Sequence, residues 1–279
     1  MKYASFIYQN QNYVGLVFPE RNIIYPIKTD MISLIKAGNI FIDTKNATPF
    51  DLDKVTLLAP IPNPIRNIFC IGKNYKDHIL EVKQTNTNPT DSIPQYPIVF
   101  TKATNCVIGT NTQITLPKDL STEIDYEAEL AVIIGKKGRF IKAEHALDYI
   151  FGYTIANDLT ARDIQVRHKQ WFLGKSIDHF LPLGPWITTK DEVDGQNLTI
   201  SCWVNDELRQ HSNTSEMIFN IAHLIETIST YVTLEAGDII ATGTPAGVGM
   251  GHNPPIFLKS GDRIKITIEK LGGLENVMQ

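Results

Sequence analysis

Polar and apolar residues alternate at 3–8 and 13–18, which predicts two strands joined by a polar turn at Gln9 to Asn12, with 22–27 a third strand. A short helix at 31–37, closed by Gly38, follows. Pro60, Pro62 and Pro64 then stand at alternate positions, which keeps the chain extended and marks a boundary. The organisation expected is a small N-terminal β-containing domain over 1–60 and a larger catalytic domain over 61–279.

Beyond the boundary, 67–71 reads as a buried strand, 72–75 as a turn and 76–81 as one or two helical turns. Residues 82–96 are polar and lack a packing pattern, so they read as a mobile lid carrying His78. Strands are predicted at 97–101, 112–116, 125–134 and 152–157, with a helix at 142–149. A helix at 160–170 has Thr160 or Asp158 available as its N-cap. Residues 198–204 and 207–210 suit a hairpin around Asn205-Asp206. The clearest helix is 215–231, where Met217, Ile218, Ile221, Leu224, Ile225 and Ile228 make one apolar stripe. With further strands at 238–241 and 263–269 and no internal repeat, the class expected is α+β and β-rich, not a regular βαβ array.

Composition narrows the function classes. A net charge of −4 over 279 residues gives no electrostatic case for a nucleic acid or an anionic membrane as partner. Apolar runs such as 131–134 fall far short of the ~20 residues that cross a bilayer. Residues 1–20 alternate instead of forming the continuous apolar core of a secretory signal. Cys70, Cys106 and Cys202 are scattered and show no CxxC spacing, so a reduced, cytoplasmic protein is expected.

The chemistry centres on 125–134, DYEAELAVII. Strand alternation would put Asp125, Glu127 and Glu129 on one face with Ala131 and Ile133. Like charges so placed repel, and burying them needs a cation. Oxygen donors without His or Cys suit Mg2+ or Mn2+. The alternatives are acids facing water or pairing with Lys136, Lys137 and Arg139. Asp158, at a strand end beside a helix start, is a candidate third ligand and equally an N-cap. His78 and Glu81, three apart on a helix, offer a base and the carboxylate that orients it, or an incidental surface pair. Lys175 could place a cation near a developing enolate. The loop 242–249, TGTPAGVG, offers backbone N–H groups and the Thr244 hydroxyl to a carboxylate, or is only a tight turn. Cys70 lies in an apolar strand, where a thiol is normally inert. Arg162 and Gln165 follow Asp158 and reach either substrate or solvent.

Five segments in order, IGKNYKDH at 71–78, DYEAEL at 125–130, GYTIANDLTARD at 152–163, GKS at 174–176 and the 242–249 loop, resemble the fumarylacetoacetate hydrolase family. The resemblance covers about 65–279. It implies a rolled mixed β-sheet, a homodimer, and a Mg2+ or Mn2+ site at Glu127, Glu129 and Asp158. It further implies His78 and Glu81 on a closing lid, and substrate contacts from Lys175, Gln165 and Thr244, with Tyr75 and Arg162 as further candidates. Ile71 stands where fumarylacetoacetase itself looks to have another carboxylate, which favours the subgroup similar to acylpyruvate hydrolases and oxaloacetate decarboxylases. The expected reaction is cleavage of the C3–C4 bond of a small 2-oxo acid through an enolate, by hydrolysis or by loss of CO2. Isomerisation of a 2-hydroxyhepta-2,4-diene-1,7-dioate type of intermediate and a non-catalytic binding protein are the alternatives.

Overall fold

Lys2–Tyr8, Gln11–Phe18 and Ile23–Ile27 pair in succession as an antiparallel meander. Gln9 and Asn10 take φ of 48° and 62°, the two-residue turn whose twist matches the flanking strands. Asp30 caps the helix Met31–Ala37 by accepting from the Ser33 N–H at 2.9 Å. This computed structural model describes residues 1–38, 44, 47–85, 92–117 and 119–279, with 83–85 as backbone.

Lys2–Tyr8 also pairs with Leu181–Thr189, so the meander is the outer part of one large sheet, continuous across the proline-marked boundary. Inward from Leu181–Thr189 the order is Ile150–Asn157, Ala128–Ile134, Ile239–Ala241, Ile68–Gly72 and Ile98–Lys102. The step from Ile239–Ala241 to Ile68–Gly72 is parallel, which makes the sheet mixed. A second sheet holds Glu207–Asn213, Thr199–Val204, Arg263–Ile268, Gly272–Met278 and Gln113–Ile114. The fold is α+β and strand-rich. Every residue of Ala128–Ile134, Ile150–Asn157 and Leu181–Thr189 is buried, so these strands are covered on both faces.

Several elements differ from expectation. The strand at 125–134 is broken at Tyr126 and Glu127: Ile124–Asp125 pairs separately with Thr160–Ala161. That pairing extends Thr160 and Ala161, so the helix at 160–170 contracts to Arg162–Arg167, and neither Thr160 nor Asp158 caps it. The helix at 215–231 starts only at Ile221–Tyr231, capped by Asn220, because Met217 leaves the stripe to bridge Tyr75. By contrast the turns at 76–81 lengthen to Lys76–Thr85. Residues 86–91 of the expected lid lie outside the described residues. Among the described residues no helix is long and apolar enough to cross a membrane.

Candidate active site

The register of two strands assembles the acids. Ala128 lies opposite Asn157, and the Asp158 N–H donates to the Glu127 carbonyl at 2.9 Å. Glu127 and Glu129 at the start of one strand therefore meet Asp158 just past the end of the other. One carboxylate oxygen from each lies within 4.8 Å of the other two, and all three residues are buried.

Asp125 does not join them. The break at Tyr126 and Glu127 interrupts the alternation that would have placed it there. Its carboxylate accepts from the backbone N–H groups of Tyr126, Gly249 and Met250 at 2.9, 2.6 and 3.0 Å, and from Arg162 Nε at 2.9 Å. That charge is compensated without a metal. Lys136, Lys137 and Arg139 are not the acids' partners either: Lys137 pairs with Glu235, Lys136 lies over the Tyr149 ring and Arg139 donates to the Thr230 carbonyl.

Lys175 Nζ lies 2.6 Å from Glu127 Oε2 and 2.8 Å from Asp158 Oδ2. Lys102, absent from the sequence-based site, is fully buried, with Nζ 2.7 Å from Asp158 Oδ1 and 3.0 Å from the Leu159 carbonyl. Arg162 reaches Glu127 Oε1 at 2.7 Å as well as Asp125. Burial raises the Glu127 carboxyl, but Lys175, then Arg162 and His78, outweigh it and hold it down at about 2. Burial would likewise lower the Lys175 ammonium, yet Asp158 and Glu127 raise it, so it stays charged.

Glu129 is the exception. Burial, then Asp158 and Glu127, push its carboxyl well above the usual range, with Lys175 and the Gly243 N–H offsetting only part. Among the described residues it is the member of the trio with no ion pair; its one bond is from Gly243 N at 2.9 Å. Three carboxylates thus face two lysines, since Arg162 is shared with Asp125. A divalent ion would turn that deficit into an excess of one positive charge, which a ligand carboxylate would cancel. The all-oxygen donor set and the uncompensated Glu129 both fit Mg2+ or Mn2+.

Above the cluster is a cavity of about 300 Å3 lined by Glu127, Glu129, Arg162, Gln165, Lys175 and Thr244 on its polar side and by Phe100 and Trp171 among its apolar residues. Trp171 packs directly on Gly72, where a Cβ would come within 2.3 Å of the indole. Phe100 and Trp171 meet edge to face at 5.2 Å between centroids. Gln165 accepts from Arg162 at 3.3 Å. Tyr75 is not among the cavity's lining residues: it is buried, and desolvation pushes its phenol upward. Cys70 is fully buried, and burial raises its thiol strongly, as an inert cysteine requires.

The 242–249 loop corrects another expectation. Its Gly243 N–H goes to Glu129, Gly247 N–H to Glu81 and Gly249 N–H to Asp125, so the protein's own acids take these three donors. The Thr244 hydroxyl remains for a ligand.

His78 lines the cavity, with Nδ1 3.5 Å from Glu81 Oε2. Glu81 is anchored by Gly247 N at 2.8 Å and lies against Gly251, where a Cβ would come within 2.1 Å of its carboxylate. Gly251→Ala is therefore expected to swing Glu81 off His78. Turnover should fall about tenfold, less than the roughly 10²–10⁴-fold that a positioned base contributes in full, because His78 stays in place and only its orienting carboxylate moves, with Mn2+ affinity unchanged; steady-state kinetics beside a Mn2+ titration checks both.

Residues 67–279 match the model of the fumarylacetoacetate (FAA) hydrolase C-terminal family. The chain belongs to the fumarylacetoacetate hydrolase family. Oxaloacetate tautomerase YisK of Bacillus subtilis is 43% identical, over 99% of this chain and 99% of that protein. The mitochondrial oxaloacetate tautomerase fahd2 of Xenopus laevis is 48% identical, over 80% of this chain and 68% of that one. The structure of a fumarylacetoacetate hydrolase from Exiguobacterium antarcticum has TM-score 0.89 at 40% identity, covering 100% of this chain and 99% of that one. A 2-hydroxyhepta-2,4-diene-1,7-dioate isomerase from Mycobacterium marinum has TM-score 0.81 at 32% identity, covering 100% and 98%.

Proposed function

We propose that this chain is a divalent-metal-dependent enzyme that interconverts the keto and enol forms of a small 2-oxo acid of the oxaloacetate type. The observation that carries the reading is the buried trio of Glu127, Glu129 and Asp158, left with one uncompensated negative charge, at the floor of a cavity lined by Lys175 and His78. The relatives named oxaloacetate tautomerases supply the substrate class.

Glu127, Glu129 and Asp158 would hold the ion, which when bound supplies Lewis-acid polarisation of the 2-oxo group and an anchor for the adjacent carboxylate. Lys175 keeps a permanent positive charge at the cavity floor, against the charge that develops on the 2-oxygen. His78 is the base at C3. With Nδ1 facing Glu81, Nε2 is left to take or return the C3 proton. The net change is one proton moved between C3 and the 2-oxygen. Phe100 and Trp171 shield the reacting carbon from water.

Cleavage of the C3–C4 bond is a second outcome at the same site: it starts from the keto form and leaves the enolate of pyruvate, which the same groups would stabilise. It is favoured by the His78–Glu81 pair, which could equally activate water against C4 of an acylpyruvate; with oxaloacetate, CO2 leaves instead. The reading includes a cytoplasmic homodimer, for which exposed Val166, Phe172 and Leu173 offer apolar surface to a second copy.

The test follows enol absorbance and pyruvate release in parallel from oxaloacetate, with Mn2+ and with EDTA. Expected is keto–enol equilibration accelerated by the protein with Mn2+ and lost in EDTA, with pyruvate appearing more slowly. An EDTA-insensitive rate would remove the metal from the reading, and pyruvate released as fast as enol equilibrates would assign decarboxylation.

A further inference from the structure

We infer that Gln210 sets the hydrogen-bond polarity of Thr244, obliging its hydroxyl to donate into the cavity and so to read a carboxylate oxygen of the substrate. The inference rests on the proposed reading in one respect, that Thr244 touches substrate.

Gln210 lies on Glu207–Asn213, at the edge of the five-stranded sheet, yet is fully buried. Its side chain crosses to the larger sheet. Oε1 accepts from the Ala128 N–H at 3.0 Å, the amide between the two metal-facing glutamates. Because an N–H can only donate, that contact fixes which end of the amide is oxygen. Nε2 must then face the 242–249 loop, where it donates to Thr244 Oγ1 and to the Pro245 carbonyl, both at 2.8 Å. Both amide hydrogens are used.

Thr244 Oγ1 is the acceptor in its bond with Gln210, so its single hydrogen points elsewhere. Thr244 is buried but lines the cavity, and among the described residues its hydrogen has no acceptor. The group that completes it is a ligand oxygen. Interconverting keto and enol forms exchange a carbonyl for a hydroxyl at C2, whereas a carboxylate accepts in both. A hydroxyl held as a donor therefore matches the carboxylate, the end of the substrate that does not change. Gln210 is a positioning residue: it acts through Thr244 and touches no substrate.

The test is a double-mutant cycle of Gln210→Met, Thr244→Val and both together, with two readouts. One is turnover of oxaloacetate with Mn2+. The other is the affinity for oxalate, an inert 2-oxo acid mimic, read from quenching of Trp171, which lines the same cavity. Each single variant is expected to raise KM and the oxalate Kd about tenfold, the scale of one hydrogen bond to a charged group, with kcat changed less than about twofold. The double variant is expected to be no weaker than Thr244→Val alone. Losses that multiply, or an unaffected Gln210→Met, overturn the inference.

Should Gln210→Met fail to fold, Gln210→Glu decides. Its carboxylate still accepts from Ala128 but also accepts the Thr244 hydrogen, turning the donor away from the cavity. The same loss is expected, and native affinity overturns the relay. If the native enzyme binds oxalate but turns over no 2-oxo acid, the catalytic reading falls and the oxalate cycle still decides the relay. A native protein that binds no oxalate overturns the relay itself.

Discussion

Glu129→Gln is expected to make the metal-free protein more stable while abolishing Mn2+ binding and turnover. The two effects have one cause. In the absence of an ion, Glu129 is a buried carboxylate with a single backbone donor and no cation of its own. An amide keeps the bond from Gly243 and removes the charge, which should stabilise the fold by about 1–3 kcal/mol. The pH dependence carries the same signature. With its folded pKa raised, Glu129 contributes stability fully present below the unfolded carboxylate value, and that stability is lost as pH rises through the higher folded value. Glu127 works in the opposite sense and lower: its contribution is present above the unfolded value and lost as pH falls toward about 2.

The metal-free native protein should therefore lose stability as pH rises above the ordinary carboxylate range, and Glu129→Gln should flatten that slope. Mn2+ at a hundredfold excess over its Kd should raise native stability by about 2.7 kcal/mol and leave the variant unmoved. Turnover should fall by about 10³-fold or more, several kcal/mol of lost Lewis-acid stabilisation. Thermal melts across pH with and without Mn2+, beside the enol assay, read all of this. A variant less stable than native without metal would mean that Glu129 is already compensated.

How much of this site was legible in the sequence depends on how local each signal is. The strand carrying Glu129 could be read because an unbroken apolar run follows the acids. Asp158 could be read as a candidate because a strand ends just before it. Asp125 was misplaced because period-two alternation holds only while a strand stays in register, and nothing local announces the break at Tyr126. Leu181–Thr189 was missed as a central strand because Pro182, Gly184 and Pro185 argue against one. Gly184 and Pro185 are accommodated where the register with Ile150–Asn157 shifts, between Tyr153 and Ile155, and Pro182 lies beyond it, beside Ile108.

Lys102 and Gln210 are non-local for a different reason. Each is a polar residue on a strand that reads as ordinary, and its importance comes from a partner 56 or 82 positions away. Lysine is seldom fully buried, so a lysine ending the strand Ile98–Lys102 reads as a solvated terminus until Asp158 is placed over it. The functional order of the chain is thus split. Ligand oxygens and Lys175 show in local pattern, whereas Lys102 and Gln210 follow only from the fold.

Lys175→Met separates neutralising from catalysing, because the two roles respond differently to metal. Removing the ammonium leaves Glu127 Oε2 and Asp158 Oδ2 without the cation that lies 2.6 and 2.8 Å from them. Lys102 and Arg162 still hold the other oxygens of these acids, at 2.7 Å each. Breaking a buried pair from one side typically costs about 3–5 kcal/mol, so the metal-free variant should melt well below native. Mn2+ brings the missing positive charge to the same oxygens and should restore most of that loss. It should also bind the variant at least as tightly as native, since Lys175 no longer competes for Glu127 and Asp158. Activity is expected to stay about 10²–10³-fold down even in saturating Mn2+, the scale of losing one preorganised donor to a developing oxyanion. The methionine keeps the stem but presents no charge to the 2-oxygen. Recovery of both stability and turnover with Mn2+ would make Lys175 a stand-in for the ion and nothing more. Recovery of stability alone would place its ammonium among the groups that touch the reacting atoms.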